Sequence, residues 1–132
     1  MAAPTPVIRT LVDSYNDIIV KVSIPSGGDA DIAATAIIDI STFTTGRTVT
    51  SCSIRRITWS LDGFAVNLFE DADTDVRMCT MATGTGDLKL ATGISTTGAT
   101  GSVGDIVFTT TGVGTADTGF FIVHATKGTS TT

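Results

Sequence analysis

The sequence predicts an all-β chain: an antiparallel β-sandwich, jelly-roll-like, of eight to nine short strands. Three observations carry this. Apolar residues recur at every second position in short runs, most clearly at Ile18, Val20, Val22 and Ile24, which is the period of a strand with one buried face. The runs are rich in Val, Ile and Thr, which pack well on a pleated surface. Between them lie Gly, Pro, Ser, Thr and Asp clusters that read as turns, and no stretch shows a convincing amphipathic-helix pattern. No internal repeat of about 20–50 residues points to a propeller or solenoid.

With 132 residues the chain has the length of one domain. Hydrophobic residues make up 42% and charged ones only 16%, against about a quarter in typical domains, so much of the surface is neutral and hydroxyl-rich. The net charge of −5 and a pI near 4.4 have the wrong sign for gripping phosphate backbones, so no nucleic-acid partner is expected. The N-terminus lacks a basic region followed by an apolar core, and no apolar run approaches about 18 residues. A soluble protein made in the cytoplasm, without a membrane partner, is the expectation.

In chain order, residues 1–6 read as a flexible arm, because Pro4 and Pro6 remove donors and favour extended geometry. A single sandwich domain spans 7–127, and 128–132 is a polar tail. Val7 to Val12 is a first short strand, and Ile18 to Ile24 a clear one, ended by Pro25-Ser26-Gly27-Gly28. Ala33 to Ile40 is too short and too β-branched for a helix and reads as a strand, and 42–50 as a loop. Cys52 to Phe69 predicts two strands joined as a hairpin at Leu61-Asp62-Gly63, with Gly63 in a primed turn. Within it Ile54 and Ile57 are three apart, so a bulge at Arg55-Arg56 is needed to put Ile57 and Trp59 on one face.

Glu70 to Thr74 reads as an acidic turn. Val76 to Met81 follows as a strand, with Met78 and Thr80 on one face and Arg77, Cys79 and Met81 on the other. Asp87 to Ala91 is a short strand, and 93–104 a Gly/Thr loop with little to pack. Gly104 to Thr109 and Gly119 to Lys127 are the closing strands, separated by a turn over 112–118. Phe120-Phe121-Ile122 is apolar on both faces, which places the last strand inside a sheet.

No constellation converges on catalysis. The sole histidine, His124, shares a face with Phe120 and Ile122, where a structural role is the ordinary one. Ser14, Ser23, Ser53 and Ser60 are equally available as its partner, and none stands out, so no catalytic residue and no enzyme activity are expected. Asp71, Asp73 and Asp75 alternate as at the start of a calcium loop, but Val76 stands where such a loop has Gly and Ala82 where it has Glu. A turn whose carboxylates cap backbone amides fits better, and Asp29 and Asp31 could join it only if the fold brought them close. No metal or cofactor is therefore expected. One His and two Cys, Cys52 and Cys79, do not make a tetrahedral zinc set; in a reducing compartment the cysteines read as small hydrophobes, although on neighbouring strands they could pair. Gly84-Thr85-Gly86 and Gly112-Val113-Gly114 precede no helix and read as turns, not phosphate cradles. Arg55 and Arg56 form the basic cluster: one arginine solvated and one paired with the acidic turn, or both docked on an acidic neighbour.

Ile57-Thr58-Trp59-Ser60-Leu61-Asp62-Gly63 with Val66 and Leu68, then Gly104-Asp105-Ile106-Val107-Phe108-Thr109-Thr110-Thr111-Gly112 and the closing strand to Lys127, resemble small β-sandwich virion proteins of tailed, especially marine, bacteriophages. Through them the chain resembles auxiliary capsid decoration or cement proteins. The resemblance covers roughly 52–127 and implies a non-enzymatic protein on the capsid exterior that binds the major capsid protein, with itself as a second partner in a homotrimer. The contact candidates are Ala2, Ala3, Pro4, Thr5 and Pro6 of the arm, with Arg55 and Arg56. A neck, tail or fibre component meeting a tail partner or host glycan is the alternative, and a calcium-dependent carbohydrate-binding module a third.

Overall fold

The computed structural model describes residues 3–40, 51–95 and 105–128. Among these residues nine strands form: β1 (Val7–Asp13), β2 (Asp17–Ile24), β3 (Thr35–Ile38), β4 (Ser51–Asp62), β5 (Ala65–Glu70), β6 (Val76–Met81), β7 (Gly84–Ser95), β8 (Ile106–Thr111) and β9 (Thr118–Gly128). They build a five-stranded sheet ordered β1-β2-β9-β4-β7 and a four-stranded sheet ordered β3-β8-β5-β6. Every pairing is antiparallel. Strands β2 to β9 alone make two four-stranded sheets, with all but the β5–β6 connection crossing between them. That is a jelly-roll arrangement, and β1 is an addition to its edge.

The alternation seen in the sequence sorts side chains as expected. Ile18, Val20, Val22 and Ile24 from β2, Ile54, Ile57 and Leu61 from β4, and Phe121, Val123 and Ala125 from β9 meet Val66 and Leu68 from β5 and Ile106 and Phe108 from β8. Phe108 and Phe121 join the sheets edge to face, centroids 5.4 Å apart and planes at 71°, a geometry that adds about 0.5–1.5 kcal/mol beyond area burial. The β4 bulge falls between Ile54 and Arg56, and it restores the phase so that Ile57 is fully buried. Trp59 returns to the core side too, and a Cβ at Gly86 would overlap its ring. β9 is the middle strand of the larger sheet.

Several expectations are corrected. β4 and β5 are not a hairpin: β4 bonds to β7 and β9, and β5 to β6 and β8. Leu61 and Phe64 are both buried, so the chain leaves one sheet at Asp62-Gly63 and enters the other, each strand turning its apolar side to the core. Gly63 serves this arch with φ +91°, while its N–H donates to Thr83 Oγ1 at 2.9 Å. β3 is shorter than the expected 33–40 strand, and β7 is longer, running to Ser95 through the expected start of a loop. The register shift between Leu68 and Phe69 puts Arg77 on the same side as Thr80, whose Oγ1 accepts from its guanidinium at 2.9 Å. Glu70 ends β5 fully buried, not in a solvated turn. The 42–50 loop and residues 96–104 and 129–132 lie outside the described residues.

Candidate docking face

The outer face of the five-stranded sheet is assembled by register. Across it run Val7, Ser23, Phe120, Ser60 and Thr85; then Arg9, Lys21, Ile122, Thr58 and Asp87; then Val12, Ile19, His124, Arg56 and Lys89. The jelly roll needs only the opposite faces of these strands. Their outer positions nevertheless include half-buried Phe120, Ile122 and Ile19, apolar side chains where Thr and Ser would serve solubility better. Several grooves open on this surface. One, of about 430 Å³, is lined by Val7, Lys21, Ser23, Ser60, Asp62 and Phe120 among others. Another, of about 230 Å³, lies between Ile19, Arg56, Thr58, Ile122 and His124.

The charge of this face is opposite to that of the chain. It carries Arg9, Lys21, Arg55, Arg56 and Lys89 with His124, against Asp17 and Asp87 and, at its rim, Asp62. Arg56 grips Asp87 with two parallel bonds, Nε–Oδ1 2.9 Å and Nη2–Oδ2 2.7 Å. That hydrogen-bonded pairing holds the Asp87 carboxyl below its usual range and raises the guanidinium. His124 Nε2 lies 3.0 Å from Asp17 Oδ1, and Lys21 Nζ sits 5.1 Å from the Phe120 centroid. Arg55, at the bulge, donates from Nε to Thr126 Oγ1 at 3.4 Å.

At the edge of this face, β1 is exposed on both sides. Ile8 and Thr10 point inward, opposite buried Val22 and Val20, yet both are exposed, so the strand projects past the cover of the smaller sheet. Among the described residues the large exposed hydrophobics are Val7, at 61%, Ile8, Leu11, Val12 and Tyr15, at 61%. All fall within nine consecutive positions. Lys127 clamps the end of this strand: its ammonium points inward from β9 and donates to the Asp13 carboxylate and the Ser14 carbonyl.

The sequence candidates land as follows. Arg55 and Arg56 lie on the docking face, and Arg56 pairs with Asp87, not with the acidic turn. Ala2 lies outside the described residues. Ala3 and Thr5 are exposed, Pro6 is half-buried and Pro4 is buried, seated where a Cβ on Gly28 would collide with its ring. Asp75 Oδ1 accepts from the Ala72 N–H at 3.1 Å, the capping role expected of the 71–75 turn. Asp31 is elsewhere, accepting from Val113 N–H at 2.9 Å. Among the described residues no group of three or more His, Cys, Asp and Glu side chains is placed to hold a metal ion. Cys52 and Cys79 stand on different sheets and are not joined by a disulfide; burial, with Asp105 adding, pushes the Cys52 thiol up to about 12. Sequence reasoning misses Ile19, Lys21, Lys89 and Phe120 as a shared surface. The signal for it is Phe120-Phe121-Ile122, whose doubly apolar pattern marks a central strand and also an outer face with apolar floor.

No family model and no curated protein sequence matches the chain. Among solved structures, similarity is found to the Schizosaccharomyces pombe Cnp3 cupin domain at 10% identity and TM-score 0.38, over 92% of this chain and 64% of that one. A cupin domain from Bordetella pertussis Tohama I aligns at 15% identity and TM-score 0.36, over 98% of this chain and 99% of that one. The chain thus spans less than two thirds of the Cnp3 domain. Both likenesses are too distant to carry an argument about activity, and the jelly-roll assignment rests on the strand order itself.

Proposed function

We propose that this chain is a non-enzymatic structural protein that coats a larger assembly, in the form implied by its sequence resemblance: a decoration protein bound to the major capsid protein on the outside of a bacteriophage virion. The observation that carries this reading is β1. It is appended to a roll that is complete without it, and it carries four of the five large exposed hydrophobics of the described residues, with Tyr15 just beyond its end. Contiguous exposed apolar surface marks contact with a partner. The arm leads directly into it, and a lattice of sites lets each copy bind weakly while avidity holds the coat.

The test is occupancy on purified capsids stripped of the protein. Leu11→Ser and Val12→Ser change exposed positions and are expected to leave folding intact while lowering occupancy by about tenfold or more. Undiminished occupancy would remove β1 from the contact, and absence of wild-type binding would overturn the function. Deleting residues 1–6 is expected to weaken binding as well, read beside thermal unfolding because Pro4 packs on Gly28. One observation favours a second reading, a tail or fibre component meeting a glycan. The larger groove sets hydroxyls of Ser23, Ser60 and Thr118 and the Asp62 carboxylate beside Phe120, a polar-and-aromatic mix suited to a sugar. Copy number separates the two, since hundreds per particle mean a coat and a handful mean a tail.

A further inference from the structure

The outer face of the five-stranded sheet is basic in an acidic chain. Five of its side chains are Lys or Arg and three, counting the rim, are Asp, whereas the other ten of the chain's 13 carboxylates lie elsewhere. Of the described cations off this face, Lys127 is buried against Asp13 and Arg77 is tied to Asn67 and Thr80. The molecule is therefore electrically two-sided, and each side is complementary to the other in a neighbouring copy.

We propose that this face is an interface between copies of the chain, in which it receives the acidic 71–75 turn of the next copy head to tail. A face-to-face contact would bring the cations Arg9, Lys21, Arg55 and Lys89 of one copy against the same cationic surface of the other, and juxtaposed like charges repel; this disfavours the face-to-face arrangement. Among the elements of a second copy, the turn between β5 and β6 has the form such a face accepts. It carries three carboxylates in five residues, with Asp73 and Asp75 exposed. It is also held in shape before contact, by Asp75 on the Ala72 amide and by the Asp71 N–H on the Asp105 carbonyl at 3.0 Å. On the receiving side Ile19 and Ile122 floor the groove beside Arg56 and His124, with Lys21 and Lys89 in the neighbouring positions of the face. A head-to-tail contact of this kind closes into a ring where the rotation allows and otherwise runs into filaments. The interface is a property of the purified chain and is independent of any capsid.

Sedimentation velocity across salt concentration tests it. The wild-type protein is expected to associate at about 0.01 M salt and to dissociate toward 1 M, as the screening length falls from about 30 Å to about 3 Å. Lys21→Glu, or Arg9→Glu on exposed β1, should weaken association about tenfold or more, and so should Asp73→Lys. An equimolar mixture of Lys21→Glu and Asp73→Lys should recover it, because each variant supplies the half of the contact that the other lacks. A monomer at every salt concentration, association indifferent to salt, or no recovery on mixing would each overturn the proposal. Circular dichroism of each variant separates these outcomes from misfolding.

Discussion

On the outer face of the four-stranded sheet, Asn67 Nδ2 donates to Thr109 and Thr111 at 3.3 and 3.0 Å, while its Oδ1 accepts from Arg77 and Thr80 at 3.2 and 3.1 Å. Arg77 also covers the Phe69 ring at 5.2 Å. Across the molecule the outer face of the five-stranded sheet also pairs Arg56 with Asp87 and His124 with Asp17, but its grooves stay open beside Phe120 and Ile122, and among its described residues the cations exceed the carboxylates. Both are outer faces of antiparallel sheets in one roll, under the same demand to be soluble. One consumes its polar groups internally and offers little to a partner, whereas the other keeps charge and apolar area available, and that contrast is what locates the docking face.

The largest expected effect lies beneath both faces. Phe121→Ala removes a fully buried ring that couples the sheets through Phe108 and should cost about 3–5 kcal/mol in urea unfolding. Ile122→Ala, one residue on and outward-facing, should cost much less; similar values would mean that the outer apolar floor belongs to the core. Next comes Asn67→Ala, which removes the hydrogen bonds of a buried side chain whose partners Thr109, Thr111, Arg77 and Thr80 are half-buried or exposed and can turn to water, and which should cost about 0.5–1.5 kcal/mol. Ser60→Ala, at an outer position on the docking face, should stay within about 0.5 kcal/mol. Equal costs would erase the distinction between a finished face and an open one.

The smallest effects concern pH. Pairing with Arg56 lowers the Asp87 pKa, so its contribution is present at neutral pH and is lost as pH falls through the folded-state value. The stability difference between wild type and Asp87→Asn should therefore shrink in acid. Asp105 has the opposite sign. Burial first, then Asp39 and Asp71, raises its pKa against the opposing Ile40 N–H bond at 3.0 Å. Its ionisation thus opposes folding at neutral pH, and that penalty is relieved as pH falls through the raised value. Asp105→Asn keeps the Oδ1 acceptor and is expected to match or exceed wild-type stability at pH 7, with the gap closing in acid. Chemical unfolding at a series of pH values reads both signs, and parallel behaviour of the two variants would refute the assignment.

Much of the fold is legible in local pattern. The alternation from Ile18 to Ile24, the phase slip repaired between Ile54 and Arg56, and the doubly apolar start of β9 each specify a strand, a bulge and a central position from a few adjacent residues. The arch at Asp62-Gly63 is not legible in the same way, because a reversing chain with Gly at positive φ is equally a hairpin or a crossing between sheets. Only the partners of β4 and β5, distant in sequence, decide between these. The partner of Arg56 was likewise open: the acidic turn lies nearer in sequence, but register brings Asp87 to it.

What the residues alone determined is which side chains are buried and where the chain must turn, because period, branching and glycine act over neighbouring positions. What tertiary structure decided is which outer positions share a face. Arg9, Lys21, Arg56, Lys89 and Phe120 come from five different strands, and their union depends on strand order and register, which long-range hydrogen bonding sets. The functional surface is a product of that pairing, and so it became visible only after β9 was placed between β2 and β4.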